Sequence, residues 1–153
     1  MNVEKSSNGD ILILDDTPAN LKLLTSILTA NSYNIRPSSN GKLAFRSIKS
    51  KLPDLILLDI MMPDMNGFEV CQKLKENPET KDIPIIFISA LDDINNKVKA
   101  FKVGGVDYIT KPFEAEEVLA RVKTHLKINF FQKSANKQNK LLKDTLKTIP
   151  LSF

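Results

Sequence analysis

Hydrophobic positions fall into two alternating patterns along the chain. Short, strand-length runs rich in apolar residues are separated by longer stretches in which apolar residues recur every three or four positions. The runs are "ILIL" (11–14), "YNIRP" (33–37), "DLILLD" (54–59), "IPIIFIS" (83–89) and "VDYIT" (106–110). The stretches between them have helical spacing. "PANLKLLTSILTAN" puts Leu21, Leu24, Ile27 and Leu28 on one face, and "NGKLAFRSIKSK" does the same with Leu43, Ala44 and Ile48. "GFEVCQKLKENP" carries Phe68, Val70, Cys71 and Leu74; "INNKVKAFKVGG" carries Ile94, Val98 and Phe101 before a glycine pair. "FEAEEVLARVKTHL" carries Val118, Leu119, Val122 and Leu126. Strand and helix therefore alternate five times. Continuous apolar strands predict a parallel sheet covered on both faces, and right-handed crossovers make it a doubly wound α/β structure. Such folds bind ligands at the carboxyl ends of the strands, near the topological switch point.

The predicted strand ends are all polar. The first run leads into Asp15-Asp16, the third ends in Asp59, the fourth in Ser89-Ala90 and the fifth in Thr110-Lys111-Pro112. Each alone has a plain structural reading: Asp15-Asp16-Thr17 before Pro18 suits a helix start, and a lysine at a strand end is ordinarily solvated. Their coincidence at one sheet edge is what points to chemistry. Asp59 stands where the apolar run suggests another Val or Ile, and a lone carboxylate there is costly unless paired. Three carboxylates brought together raise one another's pKa unless a cation intervenes. An oxygen-rich, partly open cluster suits Mg²⁺; the only His, His125, and the only Cys, Cys71, lie away from the strand ends, which argues against zinc. An ionised Asp59 flanked by a divalent ion and Lys111 is equipped to attack a phosphoryl group.

Composition narrows the classes. The 153 residues suffice for one domain with a modest extension. No long apolar run predicts a membrane span, the N-terminus "MNVEKSSNGD" lacks a signal-peptide core, and a single cysteine precludes an internal disulfide, so the cytoplasm is the expected compartment. The net charge of +4 is unevenly placed: residues 1–120 hold 14 basic and 17 acidic residues, a net of −3, and residues 121–153 hold 8 and 1, a net of +7. The basic character is thus a property of the tail, without the aromatic or arginine interleaving of a nucleic-acid surface.

The segments "ILILDDTPAN", "LILLDIMMPDMNGFEV", "PIIFISA" and "GGVDYITKPF", in this order and spacing, resemble the receiver domain of two-component response regulators. The resemblance runs from about Gly9 to Ile128. It implies a flavodoxin-like (βα)5 fold with strand order 2-1-3-4-5. It implies that Asp59 is the phospho-acceptor and that Mg²⁺ is held by Asp16 directly, by Asp15 largely through water, by Asp59 and by the backbone carbonyl of Met61. Lys111 would contact the phosphoryl group, with a cis peptide to Pro112. Ser89 would bond a phosphoryl oxygen, and Tyr108 would move inward as Ser89 is recruited. The donor would be a phosphohistidine on a histidine kinase or phosphotransfer protein. Such a domain is not an enzyme beyond its own phosphorylation and dephosphorylation. Asn66 stands where Asp is frequent in the family, and Ser89 replaces the commoner Thr while keeping the hydroxyl. Met62-Pro63 and Gly67 read as turn geometry, with Gly67 supplying a positive φ.

The expected organisation is a disordered N-terminus (1–8), the receiver (9–128) and a basic helical linker or tail (129–153), an extension of the last helix with its apolar spacing interrupted by "QKSANKQNK". His125, in "KTHLKI", reads as an ordinary helix-face histidine. The tail looks like those joining receivers to in-chain outputs such as histidine kinases or nucleotide cyclases, so the chain reads as the N-terminal part of a longer protein. No helix-turn-helix follows, and DNA binding by this chain is not expected. A homodimer would use the fourth helix, fifth strand and fifth helix, or the C-terminal helix. The alternatives fit less well. A Mg²⁺-dependent phosphatase needs a second Asp where Met61 stands. A flavodoxin-like redox protein needs a Ser/Thr/Gly-rich phosphate loop in place of "DDTPAN". A non-phosphorylated structural interaction module would respond to neither Mg²⁺ nor a phosphoryl donor.

Overall fold

The structure, a computed structural model, describes residues 7–148. Its elements are β1 (Asp10–Leu14), α1 (Pro18–Thr29), β2 (Asn34–Ser38), α2 (Gly41–Ser50), β3 (Leu55–Asp59), α3 (Gly67–Glu76), β4 (Ile85–Ser89), α4 (Ile94–Lys102), β5 (Asp107–Thr110) and α5 (Ala115–Thr148). All five strands are parallel, in the order β2-β1-β3-β4-β5. The chain is flavodoxin-like and doubly wound, as its pattern predicts. Every residue of β1, β3 and β4 is buried, which is why those runs are apolar throughout rather than alternating. The edge strand β2 contains Pro37, tolerable where no further strand needs its missing N–H.

Alternate side chains of the strands feed two cores. Ile11, Ile13, Leu55, Leu57, Ile86 and Ile88 pack against α1 and α5 through Leu24, Leu28, Val118 and Val122. Leu12, Leu14, Ile56, Leu58 and Phe87 pack on the other face against α2, α3 and α4. The side-chain period of two thus divides each apolar run between two helical layers. Helix starts are set locally: Asn40, Asn66 and Asp93 accept hydrogen bonds from the backbone N–H groups of Leu43, Glu69 and Asn96. α1 begins instead at Pro18, without a side-chain cap from Thr17.

Two expectations change. Ile94, Val98 and Phe101 share a face of α4, but that face points to solvent, with exposures of 70%, 44% and 52%; only Ala100 of this helix is buried. The turn after α4 brings Gly105 so close to β4 that a Cβ would lie 2.6 Å from the Phe87 ring, so small residues make the contact on this side. The last helix also runs unbroken for 34 residues, roughly 50 Å at 1.5 Å per residue. Its first part packs through Val118 and Val122, whereas every residue from Ala135 to Lys147 is exposed. At the other terminus, Asn8 donates through its backbone N–H to Ser32 and through its side chain to Asn31. The remainder of the expected disordered segment, 1–6, and the end of the tail, 149–153, lie outside the described residues. Among the described residues, no helix is long and apolar enough to cross a membrane.

Candidate functional site: an acidic crevice at the carboxyl edge of the sheet

The chain leaves β1 outward to β2 and returns to β3 on the other side, so the carboxyl ends of β1 and β3 flank the switch point. Asp15, just after β1, and Asp59, the last residue of β3, are both buried there, and Asp16 lies closer to solvent. Each of the three offers a carboxylate oxygen within 4.8 Å of the others. Lys111, following β5, reaches across with its Nζ 2.9 Å from Asp15 Oδ2 and 3.4 Å from Asp59 Oδ2. The Thr17 N–H donates to Asp15 Oδ1 at 2.9 Å, and the Met61 N–H to Asp59 Oδ1 at 3.4 Å. The Met61 side chain itself is 61% exposed, as suits a residue that would contribute only backbone. Lys111 is positioned by its peptide: its N–H donates to the Ser89 carbonyl at 2.8 Å, and its bond to Pro112 is cis, as the resemblance implies.

Electrostatics follow from this crowding. Burial pushes the Asp59 carboxyl up from 3.8 to about 6; the charge of Asp15 adds to the rise, and Lys111 with the Met61 N–H opposes it. Among the described residues, Lys111 is the cation paired with these buried carboxylates. Three carboxylates against one ammonium leave negative charge that a further cation would neutralise. The donors are oxygen only, and one side is open, which fits Mg²⁺ and not zinc.

Gly67 fixes the crevice differently from expectation. It is not among the positive-φ glycines, which are Gly9 and Gly104. Its role is close approach: a Cβ would lie 2.2 Å from the Asp59 carbonyl oxygen, and its N–H donates to Ile60 at 2.9 Å. The start of α3 is thereby drawn tight against the end of β3, just behind the acidic cluster.

Ser89 and Tyr108 sit on one side of the crevice. Ser89 is fully buried and its hydroxyl accepts from the Leu91 N–H at 3.2 Å. The Tyr108 ring is turned inward, 7% exposed, and its hydroxyl donates to the Leu91 carbonyl. Burial pushes the Tyr108 phenol up, against hydrogen bonding to Ser89 and the charge of Lys97. Asp92 extends the loop's attachment, accepting from Thr110 at 3.3 Å and pairing with Lys97 at 2.9 Å. The loop from Leu91 to Asp93 is therefore tied to β5 at two points.

A second polar cluster escaped the sequence reading. Asp107, the residue before Tyr108, accepts from Arg121 Nη1 at 2.7 Å and from the Tyr108 N–H at 2.8 Å, and lies 2.9 Å from His125 Nε2. Burial alone would raise its pKa, but the hydrogen bonds from Arg121, His125 and the backbone outweigh that and hold it below the ordinary carboxylate value. His125 is thus a half-buried clasp between α5 and β5 rather than a solvated helix-face residue. The only local signal was an acid at a strand start; its partners are 14 and 18 residues away.

Together, fold and site define a doubly wound α/β protein whose switch-point crevice presents a buried carboxylate among acids and a lysine. The sequence profile of the response regulator receiver domain matches residues 11–123, and the chain belongs to that family. It is 42% identical over 114 residues to the response regulator PleD of Caulobacter vibrioides, covering 74% of this chain and 25% of that protein. It is 38% identical over 146 residues to a Vibrio cholerae protein named "Probable cyclic di-GMP phosphodiesterase", covering 95% of this chain and 30% of that protein. The chain therefore spans less than a third of the length of either relative. Among solved structures, the receiver domain of a signal transduction histidine kinase from Syntrophus aciditrophicus superposes with a TM-score of 0.72 at 35% identity, covering 78% of this chain and 90% of that one. The BeF3-activated DrrB receiver domain gives 0.70 at 30% identity, covering 78% and 97%.

Proposed function

We propose that this receiver is a phosphorylation-controlled switch in which Asp59 accepts a phosphoryl group from a phosphohistidine on a partner histidine kinase or phosphotransfer protein. The observation that carries the reading is the buried Asp59 carboxylate, set within reach of Lys111 and among Asp15 and Asp16. An Asp59 oxygen forms a bond to phosphorus as the phosphorus–nitrogen bond breaks, and that electron pair returns to the donor's imidazole. Asp59 must be ionised to attack, and a carboxyl with a pKa of about 6 is mostly ionised near neutral pH. Asp15, Asp16, Asp59 and the carbonyl of Met61 would hold Mg²⁺, which supplies positive charge to the transferring oxygens when bound. Lys111 supplies the protein's own positive charge at the same place.

Switching is a population shift. A phosphoryl group on Asp59 gains bonds to Lys111 and to the Ser89 hydroxyl only in some arrangements of the loop after β4, and so favours them. Drawing Ser89 toward the phosphoryl group changes what its hydroxyl offers Leu91 and Tyr108, so the inward position of Tyr108 is the element biased. The exposed stripe of Ile94, Val98 and Phe101 on α4, beside Tyr108, is the surface on which an output module or partner reads the change. The likeness to the Vibrio cholerae protein extends over nearly the whole chain, which supports α5 as a connector to an output. We place the switch in the cytoplasm and assign this chain no DNA contact.

The test is intact mass after incubation with acetyl phosphate, with and without Mg²⁺, for wild type and Asp59→Ala. One added phosphoryl group requiring both Mg²⁺ and Asp59 is expected. No adduct on the folded, Mg²⁺-loaded wild type, together with failure to form a beryllofluoride complex, would sink this reading and favour the structural interaction module.

A further inference from the structure

Beyond the body, α5 carries two distinct faces. Ile128, Ala135 and Leu142 repeat every seven residues, flanked by Phe131, Gln138 and Thr145 at the intervening three-residue steps. This is the a/d spacing of a coiled-coil seam. Phe131 and Leu142 are 66% and 59% exposed, so the seam is uncovered. Lys133, Lys140 and Lys147 also repeat every seven residues, five after each seam position, and Lys137 and Lys143 lie beside them. At 100° per residue these lysines occupy the opposite side of the helix.

We infer that the seam is closed by a second copy of this chain, in a parallel two-stranded coiled coil that begins at Ile128, where α5 leaves the body. Three observations favour that occupant. A helical stretch of about twenty residues standing clear of the core is marginal in water, so the apolar side needs cover. The repeat is seven residues, which keeps the seam facing an identical helix along its length. The positions bordering the seam beyond the body are uncharged: Gln132, Asn139 and Leu146 on one edge and Ser134 and Leu141 on the other. An excess of +4 over residues 129–148 would oppose pairing of two copies if it bordered the seam; instead the lysines are all outward. An acidic partner would be drawn to the lysine side and would leave the seam open. The polar Gln138 and Thr145 within the seam make the association weak enough to be concentration-dependent. The inference is independent of phosphoryl transfer at Asp59.

Cysteine cross-linking of the full chain tests it. The single native cysteine, Cys71, is buried, and wild type gives the background. Ala135→Cys and Leu142→Cys are each expected to form self-linked dimers under mild oxidation, about tenfold faster than Asn136→Cys on the lysine side, because a disulfide demands Cβ atoms within about 4 Å. Linking only in a mixture of the 135 and 142 variants would show an antiparallel pair and overturn the parallel arrangement. Equal rates at 135 and 136, or a monomer throughout a sedimentation concentration series, would overturn pairing through this face and assign the seam to a different chain.

Discussion

Replacing Asp59 by Asn should make the protein more stable at neutral pH, although it removes a partner of Lys111. Burial and the neighbouring Asp15 raise the folded-state pKa of Asp59 from 3.8 to about 6. A group raised in this way binds its proton more tightly in the folded state, so stability falls as pH rises between those two values and is level above them. At 1.36 kcal/mol per pH unit, ionised Asp59 costs the fold about 3 kcal/mol at pH 7. The neutral amide of the Asp59→Asn variant avoids that charge, and Lys111 keeps its closer partner, Asp15, at 2.9 Å. Denaturant unfolding of wild type and Asp59→Asn without divalent ions, from pH 4 to 8, should show the variant ahead by about 2–3 kcal/mol at pH 7–8 and the difference shrinking toward pH 4. Mg²⁺ should stabilise wild type more than the variant and so narrow the gap at pH 7. A variant no more stable than wild type at pH 8, or a difference unchanged across the range, would refute the electrostatic reading of the crevice.

Other perturbations bear on the same frame. Lys111→Met leaves buried Asp15 and Asp59 without their cation and should cost about 3 kcal/mol at pH 7, partly restored by Mg²⁺, as read by denaturant unfolding. Gly67→Ala places a Cβ against the Asp59 carbonyl oxygen; thermal unfolding should report a loss above about 2 kcal/mol, since backbone must part to admit it. Asp107→Asn weakens the clasp on α5. Because the Asp107 carboxyl is held below its ordinary value, its contribution is present above the unfolded pKa and lost as pH falls through the folded one. The variant should therefore trail by about 1–2 kcal/mol at pH 7, with the gap closing in acid and faster amide exchange along α5. Tyr108→Phe removes the hydroxyl bonded to the Leu91 carbonyl and should cost about 1 kcal/mol in equilibrium unfolding while loosening the loop after β4 in hydrogen exchange.

The sequence by itself determined the alternation of strands and helices, the parallel sheet and the strand ends at which Asp15, Asp16, Asp59, Ser89 and Lys111 stand. Those features are local: a strand buried on both faces must be apolar throughout, and a carboxylate ending such a strand has no cheap structural explanation. Tertiary structure alone decided what periodicity leaves open. Spacing puts Ile94, Val98 and Phe101 on one face of α4 but does not say which way that face turns, and the close packing at Ala100 and Gly105 turns it outward. Gly67 is a glycine because two backbones meet there, not because of its own φ. His125 and Arg121 became a clasp only when folding carried them to Asp107. The tail's mixed pattern hid an unbroken helix, because one side of a lone rod can be polar wherever no core presses against it.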